Sequence, residues 1–345
     1  MLGNLLRPWL LARLMTSGTG AVLAVVVVVL AVRLLRAPAL ARSSEGQLHL
    51  DRRAELIGTL TAVAAWSAVA SLAIAVIGAD RMHGSLRGAM CAYGVLEATD
   101  YGFRSLFVAL AAALGASAWL ALHRAELTLK RPVLTQLKLL SAAALAPLFV
   151  GDFVLSSAHA LALDFREVAS CCSSGLETAR EVLGHDGGPR LVFVIAFFGF
   201  GLAAMTCALM QLRTATALGA RMVALFSGLA LLAAPLAIVT WIAPHAYGTP
   251  NHLCPFCLLH GDEAMGIGWP LYIGLFVAVS RGLAVGITRF VQRAATNPEA
   301  DASALDALGT KLARGTAIAW LVTLVLAAAP WALFTLESGG ASLFG

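Results

Sequence analysis

Five of the six cysteines lie in three polar gaps between long apolar runs, and these thiols are the side chains best suited to chemistry. Cys91 lies in the first gap, Cys171 and Cys172 in the second, and Cys254 and Cys257 in the third. Thiolates exchange with disulfides and bind soft metal ions. The distribution predicts one thiol site that is assembled from distant parts of the chain.

The third gap carries the sharpest motif, a CxxC that is flanked by His252 and His260. Pro255 follows the first cysteine, and proline is favoured at the first position of a helix. We therefore expect Cys254 to cap a helix and Cys257 to lie in its first turn, where the dipole stabilises a thiolate. The spacing suits a disulfide that is made and broken in turnover, or two ligands for copper or zinc. A static disulfide or two inert thiols is the structural alternative.

The first two gaps add further candidate ligands. Cys171 and Cys172 are adjacent, and adjacent cysteines rarely bond to each other because the ring strains the peptide between them. Each therefore reaches elsewhere, one of them forms a structural bridge to Cys91, or both hold a soft metal. In the first gap, Met82, His83, Met90 and Cys91 form a set typical of Cu(I) ligands, although methionine is also common as a packing residue.

Composition indicates that membrane helices position these gaps. The 345 residues are 59% hydrophobic and 12% charged, with a mean hydropathy of +0.84. A bilayer core needs roughly 20 apolar residues per helix, and the runs are continuous and rich in alanine and leucine, which disfavours a β-barrel. We predict an all-α, polytopic helix bundle with about eight transmembrane helices in one domain, residues 1–345. The predicted spans are 14–33, 56–79, 104–123, 139–161, 191–212, 222–244, 264–281 and 315–336.

Basic residues predict the orientation. Sixteen of the 24 lysines and arginines lie in loops that follow the odd-numbered spans. By the positive-inside rule those loops should be cytoplasmic. The cysteine gaps follow spans two, four and six. We therefore expect the protein in a bacterial inner membrane, with its thiols on the side away from the cytoplasm. The basic residues are scattered loop anchors without a dense run, and nucleic acid is therefore not expected as a partner. Membrane lipid is the expected surrounding.

Charged residues near the membrane carry two structural expectations. Asp152 lies within the fourth span, where an ionisable group usually faces the bundle interior. It should contact His159, as a proton relay or a helix contact, or reach the interface. Residues 1–16 are predicted to form an amphipathic segment at the membrane surface, with Arg7 and Arg13 off its apolar stripe.

The Cys-Pro-Phe-Cys element at the outer end of a span, with cysteines in other outer loops, resembles the membrane disulfide oxidoreductases of the DsbB and vitamin K epoxide reductase type. That resemblance implies a quinone cofactor and a soluble thioredoxin-like partner. It also implies that Cys254 and Cys257 form the quinone-facing pair. Cys91 with Cys171 or Cys172 would form the shuttle pair.

Three functions remain open from the sequence. The first is thiol-disulfide exchange at an extracytoplasmic site, alone or coupled to a membrane quinone, and the CxxC favours it. The second is binding, delivery or transport of copper or zinc, with a metallochaperone as partner. Its ligands would be Cys254, Cys257, His252, His260, Cys171, Cys172, Met90 and His83. The third is a membrane subunit of a larger transporter complex, in which the cysteines are structural.

Overall fold

The computed structural model describes residues 7–36, 44–129, 134–165, 188–264, 266–294 and 298–344. Throughout these ranges the regular structure is helical, which confirms the all-α prediction. Among the described residues, eight helices are long and apolar enough to cross a membrane, as predicted for an integral membrane protein. In chain order the α-helices are α1 Pro8–Leu35, α2 Ser44–Met82, α3 Ala92–Glu97, α4 Gly102–Leu127, α5 Thr135–Ala162, α6 Gly188–Arg213, α7 Ala217–Ala237, α8 Ala243–Tyr247, α9 Gly261–Ala264, α10 Gly268–Ala294 and α11 Pro298–Glu337.

The chain forms two compact units. Unit one comprises Met1–Ala169 with Val291–Leu305, and unit two comprises Ser170–Phe290 with Asp306–Gly345. The single transmembrane domain expected from the sequence stays a prediction.

Unit one contains a four-helix bundle in which α1 and α4 each pack against both α2 and α5. Its centre is a layer of alanines, one from each helix: Ala24, Ala65, Ala112 and Ala146. Small residues let helix backbones approach closely, which is how membrane helices associate where lipid is as apolar as the side chains. The bundle therefore depends on close backbone packing.

The four helices of unit one alternate in direction. The starts of α1 and α4 and the ends of α2 and α5 meet around one cavity, which is lined by Trp9, Ser105, Met82 and His159. Cys91 lies in the connection between α2 and α4 and so belongs to this same end. We call it the thiol end of unit one.

Unit two packs α6, α7, α10 and α11 around a cluster that includes Ala208, Val223 and Val285. Trp320 of α11 donates from Nε1 to the hydroxyl of Ser227 on α7, at 3.1 Å. Gly282 of α10 faces the same hydroxyl, and a Cβ there would lie 2.2 Å from it. A glycine is therefore required where α10 crosses α7.

Except at the start of the seventh span, each membrane-crossing helix extends beyond its predicted span at both ends. The seventh span was expected at 264–281, whereas α10 begins at Gly268 and continues to Ala294. The interfacial segment expected over residues 1–16 is wrong for its described part, because α1 begins at Pro8 and runs without interruption through the first span. Proline at the first helical position explains the early start, since its missing N–H leaves no helical partner unsatisfied.

Candidate thiol site

The cysteine motif of the third gap lies in a tight turn within unit two. Phe256–Leu259 form a four-residue 3-10 helix, preceded by Pro255 and followed by His260 in an extended conformation. The predicted helix start at Cys254 is therefore wrong. A single 3-10 turn has no appreciable macrodipole, so the expected stabilisation of a thiolate by a helix terminus does not apply to this motif.

The two sulfurs of the motif lie close together and away from solvent. The Sγ atoms of Cys254 and Cys257 are within 4.8 Å of each other. The two residues are 1% and 9% exposed. Sulfurs that share one metal ion at about 2.3 Å each are at most about 4.6 Å apart, whereas a disulfide requires about 2.05 Å. A separation within 4.8 Å is compatible with one shared soft metal ion and with closure of the pair to a disulfide.

Three aromatic side chains fix the backbone of this turn. The hydroxyl of Tyr247 donates to the carbonyl oxygen of Cys257 at 2.7 Å, and Trp269 donates from Nε1 to that of Leu259 at 3.1 Å. The Tyr272 hydroxyl donates to the carbonyl of Pro255. Buried carbonyls need such donors, and here side chains supply them in place of a helical ladder.

Sequence reasoning missed these three residues. Their only signal was the position of aromatic side chains at the ends of apolar runs. That pattern is equally typical of the aromatic belt at a membrane interface, so it did not distinguish a structural role at the turn.

Two glycines permit the close packing of the turn. Gly248 has φ 61°, a left-handed conformation that ends α8 and favours glycine. Gly268 begins α10, and a Cβ there would lie 2.8 Å from the carbonyl carbon and oxygen of Leu258. The start of α10 therefore lies directly against the 3-10 turn.

The two histidines of the motif are partly buried and lie on either side of the cysteines. The ring of His252 stacks on that of Tyr247, with centroids 3.7 Å apart. The backbone N–H of His260 donates to the carbonyl of Cys257 at 3.0 Å. Both residues are therefore tied to the turn, and their role as metal ligands stays a prediction.

Cys91 is fully buried in unit one, where it precedes the first turn of α3. The N–H of Gly94 donates to its carbonyl at 3.2 Å. The predicted convergence of the first and third gaps stays a prediction, because it joins residues of different units. Cys171 and Cys172 lie outside the described residues.

The other candidate ligands of the first gap have different surroundings. His83 donates from Nδ1 to the backbone carbonyl of Asp80, which leaves Nε2 as the nitrogen suited to a metal. An oxygen of the Asp80 carboxylate lies within 4.8 Å of a ring nitrogen of His83. Met90 is 75% exposed. A ligand role for His83 and Met90 stays a prediction.

No protein-family model, curated protein or solved structure matches this chain. The resemblance to DsbB and vitamin K epoxide reductase type proteins therefore stays a prediction. What the site can do chemically follows from its own residues, two adjacent buried sulfurs on a turn with a fixed backbone.

Proposed function

We propose that this chain is an integral membrane protein that binds a soft metal ion, Cu(I) or Zn(II), through the thiolates of Cys254 and Cys257. The observation that carries the proposal is the pair of sulfurs within 4.8 Å of each other. Thiolates are the protein ligands that Cu(I) prefers. The near-complete burial of both residues limits access for a protein partner.

The turn itself supports this proposal. A metal site requires ligands whose positions are held by surrounding hydrogen bonds, and loose ligands lose affinity. The carbonyls of Pro255 and Cys257 each accept a hydrogen bond from a tyrosine hydroxyl, so the backbone on either side of the motif is restrained. Two sulfurs leave coordination positions open. His252, His260 and the predicted third thiol, Cys91, are the candidates to fill them.

Metal content of the full-length protein tests the proposal. We expect protein purified without oxygen in lipid nanodiscs to bind about one Cu(I) or Zn(II) per chain in competition with a chelator. The Cys254→Ser, Cys257→Ser double variant should lose it. Cys207→Ser is the matched control, because Cys207 is a partly buried cysteine of the same unit in α6 and should retain the ion. Unaltered protein that binds neither ion would overturn the proposal, as would equal binding by the double variant.

The third ligand can be tested separately. If Cys91 completes the site, Cys91→Ser should weaken metal affinity by about tenfold or more while leaving some binding at the CxxC. The variants His252→Gln and His260→Gln test the alternative, in which an imidazole is the third ligand. Unchanged affinity in Cys91→Ser would remove Cys91 from the site without affecting the assignment of Cys254 and Cys257.

Thiol-disulfide exchange is the second candidate, favoured by the CxxC spacing with proline between the cysteines. In that reaction the two thiols lose two electrons and two protons to an acceptor, a membrane quinone, which becomes quinol as the disulfide forms. Quinone depletion should then shift the motif towards the dithiol, measured by differential alkylation and mass spectrometry. An alkylation pattern that does not change on quinone depletion would count heavily against this candidate.

Both candidate functions place the cysteine gaps on the side of the membrane away from the cytoplasm, and this orientation has its own test. Met90→Cys and Asn251→Cys place exposed thiols in the first and third gaps, and Thr214→Cys places one in the connection between α6 and α7. On intact bacterial cells, a membrane-impermeant thiol reagent should label the first two and spare the third. Labelling of Thr214→Cys, or protection of either gap, would contradict the predicted orientation.

A further inference from the structure

A cavity at the thiol end of unit one has polar side chains that neither candidate function uses. Among its lining residues are Arg13 of α1, Ser105 of α4, and Ser156 and His159 of α5. The rest of the wall is mainly apolar. Apolar cavities stay empty, whereas a cavity with several convergent polar groups holds water.

His159 is the first of two polar features at this cavity. It is 7% exposed, and its Nδ1 lies 2.6 Å from the hydroxyl oxygen of Thr99, in the segment that follows α3. Its Nε2 is buried and has no hydrogen-bond partner among the described residues. Because Thr99 occupies Nδ1, the nitrogen that remains for the cavity is Nε2. A water molecule there would satisfy a group that is costly to bury alone.

The second feature is the carboxylate of Asp152, which is 2% exposed. Arg13 contacts its Oδ1 from Nη2 at 2.6 Å, and Ser71 donates to its Oδ2 at 2.8 Å. Ser156 donates to Oδ1 at 3.4 Å. Arg13 and Ser156 also line the cavity, so the groups that hold Asp152 share this wall with His159.

We infer that water held in this cavity connects His159 to the Arg13–Asp152 pair and forms a proton-transfer site inside unit one. A proton passes from the Thr99 hydroxyl to Nδ1 while the proton on Nε2 passes to the water. The water gives a proton to the Ser156 hydroxyl, whose own proton passes to Oδ1 of Asp152, so the imidazole, the water and the serine all stay neutral. The hydroxyl of Thr99 regains a proton from solvent on the side of the gap. The site is independent of metal or disulfide chemistry at the cysteines.

Charged and titratable groups near His159 come from several helices of unit one. Arg13 of α1 lines the same cavity, and its charge is paired with that of Asp152 on α5. Further titratable groups lie at the thiol end of the bundle: Asp80 and Arg81 at the end of α2, Glu97 and Asp100 before α4, Arg104 on α4 and Asp164 after α5.

Radiolytic hydroxyl-radical footprinting of the unaltered protein in nanodiscs tests for the water. Met82 lines the cavity and is 6% exposed, and radicals generated from adjacent water oxidise methionine to its sulfoxide. Met205 is the control, because it is more exposed but packs against the apolar cluster of unit two. We expect Met82 to be oxidised several-fold faster. Oxidation of Met82 at or below the rate of Met205 would overturn the inference.

Solid-state NMR of protein with ¹⁵N-labelled histidine tests the proton-transfer step. Water-edited spectra should show transfer from water protons to one buried histidine, and this signal should be absent in His159→Gln. It should persist in His123→Gln, which removes a histidine that stacks on Trp119 in the same unit. A water signal that is absent, or that is retained in His159→Gln, would remove His159 as the relay. The footprinting uses unaltered protein and does not depend on the folding of any variant.

Discussion

Arg13 of α1 and Asp152 of α5 form an ion pair inside the first unit, with Nη2 2.6 Å from Oδ1. The residues are 7% and 2% exposed. Burial of two charges is compensated only when the geometry is good and further hydrogen bonds satisfy the remaining atoms. Ser71 of α2 supplies these, since its hydroxyl donates to Asp152 and its backbone carbonyl accepts from Arg13. Three helices of the bundle are thereby joined at one point.

Removing one partner of this pair should be more harmful than removing both. Arg13→Met leaves a buried carboxylate without its counter-charge, which costs about 3–5 kcal/mol, whereas Arg13→Met with Asp152→Leu replaces the pair by apolar groups and costs much less. The free energy of unfolding, measured by SDS titration of helicity in mixed micelles, should show this order.

A variant on α5, the helix of Asp152, provides the control for these stability measurements. Ser157→Ala removes a hydroxyl that donates only within α5, to the carbonyl of Phe153 at 2.8 Å, and it should change stability by less than about 0.5 kcal/mol. If the double variant is as unstable as Arg13→Met, the instability of Arg13→Met does not come from the unpaired carboxylate of Asp152.

Glu97 should make the stability of the protein depend on pH. Burial raises the pKa of Glu97 above its usual range, and a hydrogen bond from the side chain of Tyr93 opposes part of that rise. Because the folded pKa exceeds the unfolded pKa, this contribution to stability is fully present below the unfolded pKa. It is lost as the pH rises through the folded pKa. Relative to Glu97→Gln, the unaltered protein should therefore lose stability as the pH rises above about 4.

Thermal unfolding of the two proteins at a series of pH values measures this difference. Asp100→Asn is the control, because it removes an exposed carboxylate close to Glu97 in the sequence. A difference between Glu97→Gln and the unaltered protein that is constant with pH would contradict the prediction.

Two glycines near the cysteine motif make a matched pair of substitutions. A Cβ at Gly268 would meet the Leu258 backbone at 2.8 Å, whereas a Cβ at Gly261 meets nothing within 4 Å. We expect Gly268→Ala to destabilise unit two by about 1–3 kcal/mol through overpacking, and to speed alkylation of Cys257. Gly261→Ala should be close to neutral in both measurements. Equal effects of the two substitutions would show that the close approach of α10 to the turn does not control the thiol.

The eight spans were predictable because length and composition alone determine which segments can cross a bilayer. The start of the seventh span was less predictable. Residues 264–267 are part of an uncharged run, yet Gly266 has a positive φ and the helix begins only at Gly268. Hydropathy does not contain that information, because the boundary is set by backbone conformation and by packing against Leu258.

The polar contacts of the site were harder to predict. The sequence places Asp152 in the fourth span and leaves open whether it contacts His159 or reaches the membrane interface. It is 2% exposed, which excludes the interface. Its partner was missed, because Arg13 was assigned to a surface segment and lies 139 residues away in the sequence. His159 bonds to Thr99, a residue that has no motif of its own. Pairing between distant helices depends on tertiary packing, which one sequence does not specify.

The tyrosine hydroxyls that hold the cysteine turn should control access to its thiols. Tyr272→Phe keeps the ring but leaves the carbonyl of Pro255 without its donor, which costs about 1–3 kcal/mol. A loss of about 1.4 kcal/mol from the free energy of local opening makes alkylation of Cys254 about tenfold faster. Tyr247→Phe should speed alkylation of Cys257 by a smaller factor, because the carbonyl of Cys257 still accepts a hydrogen bond from the backbone N–H of His260. Mass spectrometry of the cysteine peptide after timed alkylation measures both rates.

The matched control for these rates is Tyr101→Phe. Tyr101 is 38% exposed and belongs to unit one, so removal of its hydroxyl should leave alkylation of Cys254 and Cys257 unchanged. If Tyr272→Phe and Tyr247→Phe behave like this control, the hydroxyl groups do not restrain the turn. The sulfur positions would then be set by the apolar packing around Leu258, which is fully buried. Leu258→Ala should in that case accelerate alkylation where the tyrosine variants do not.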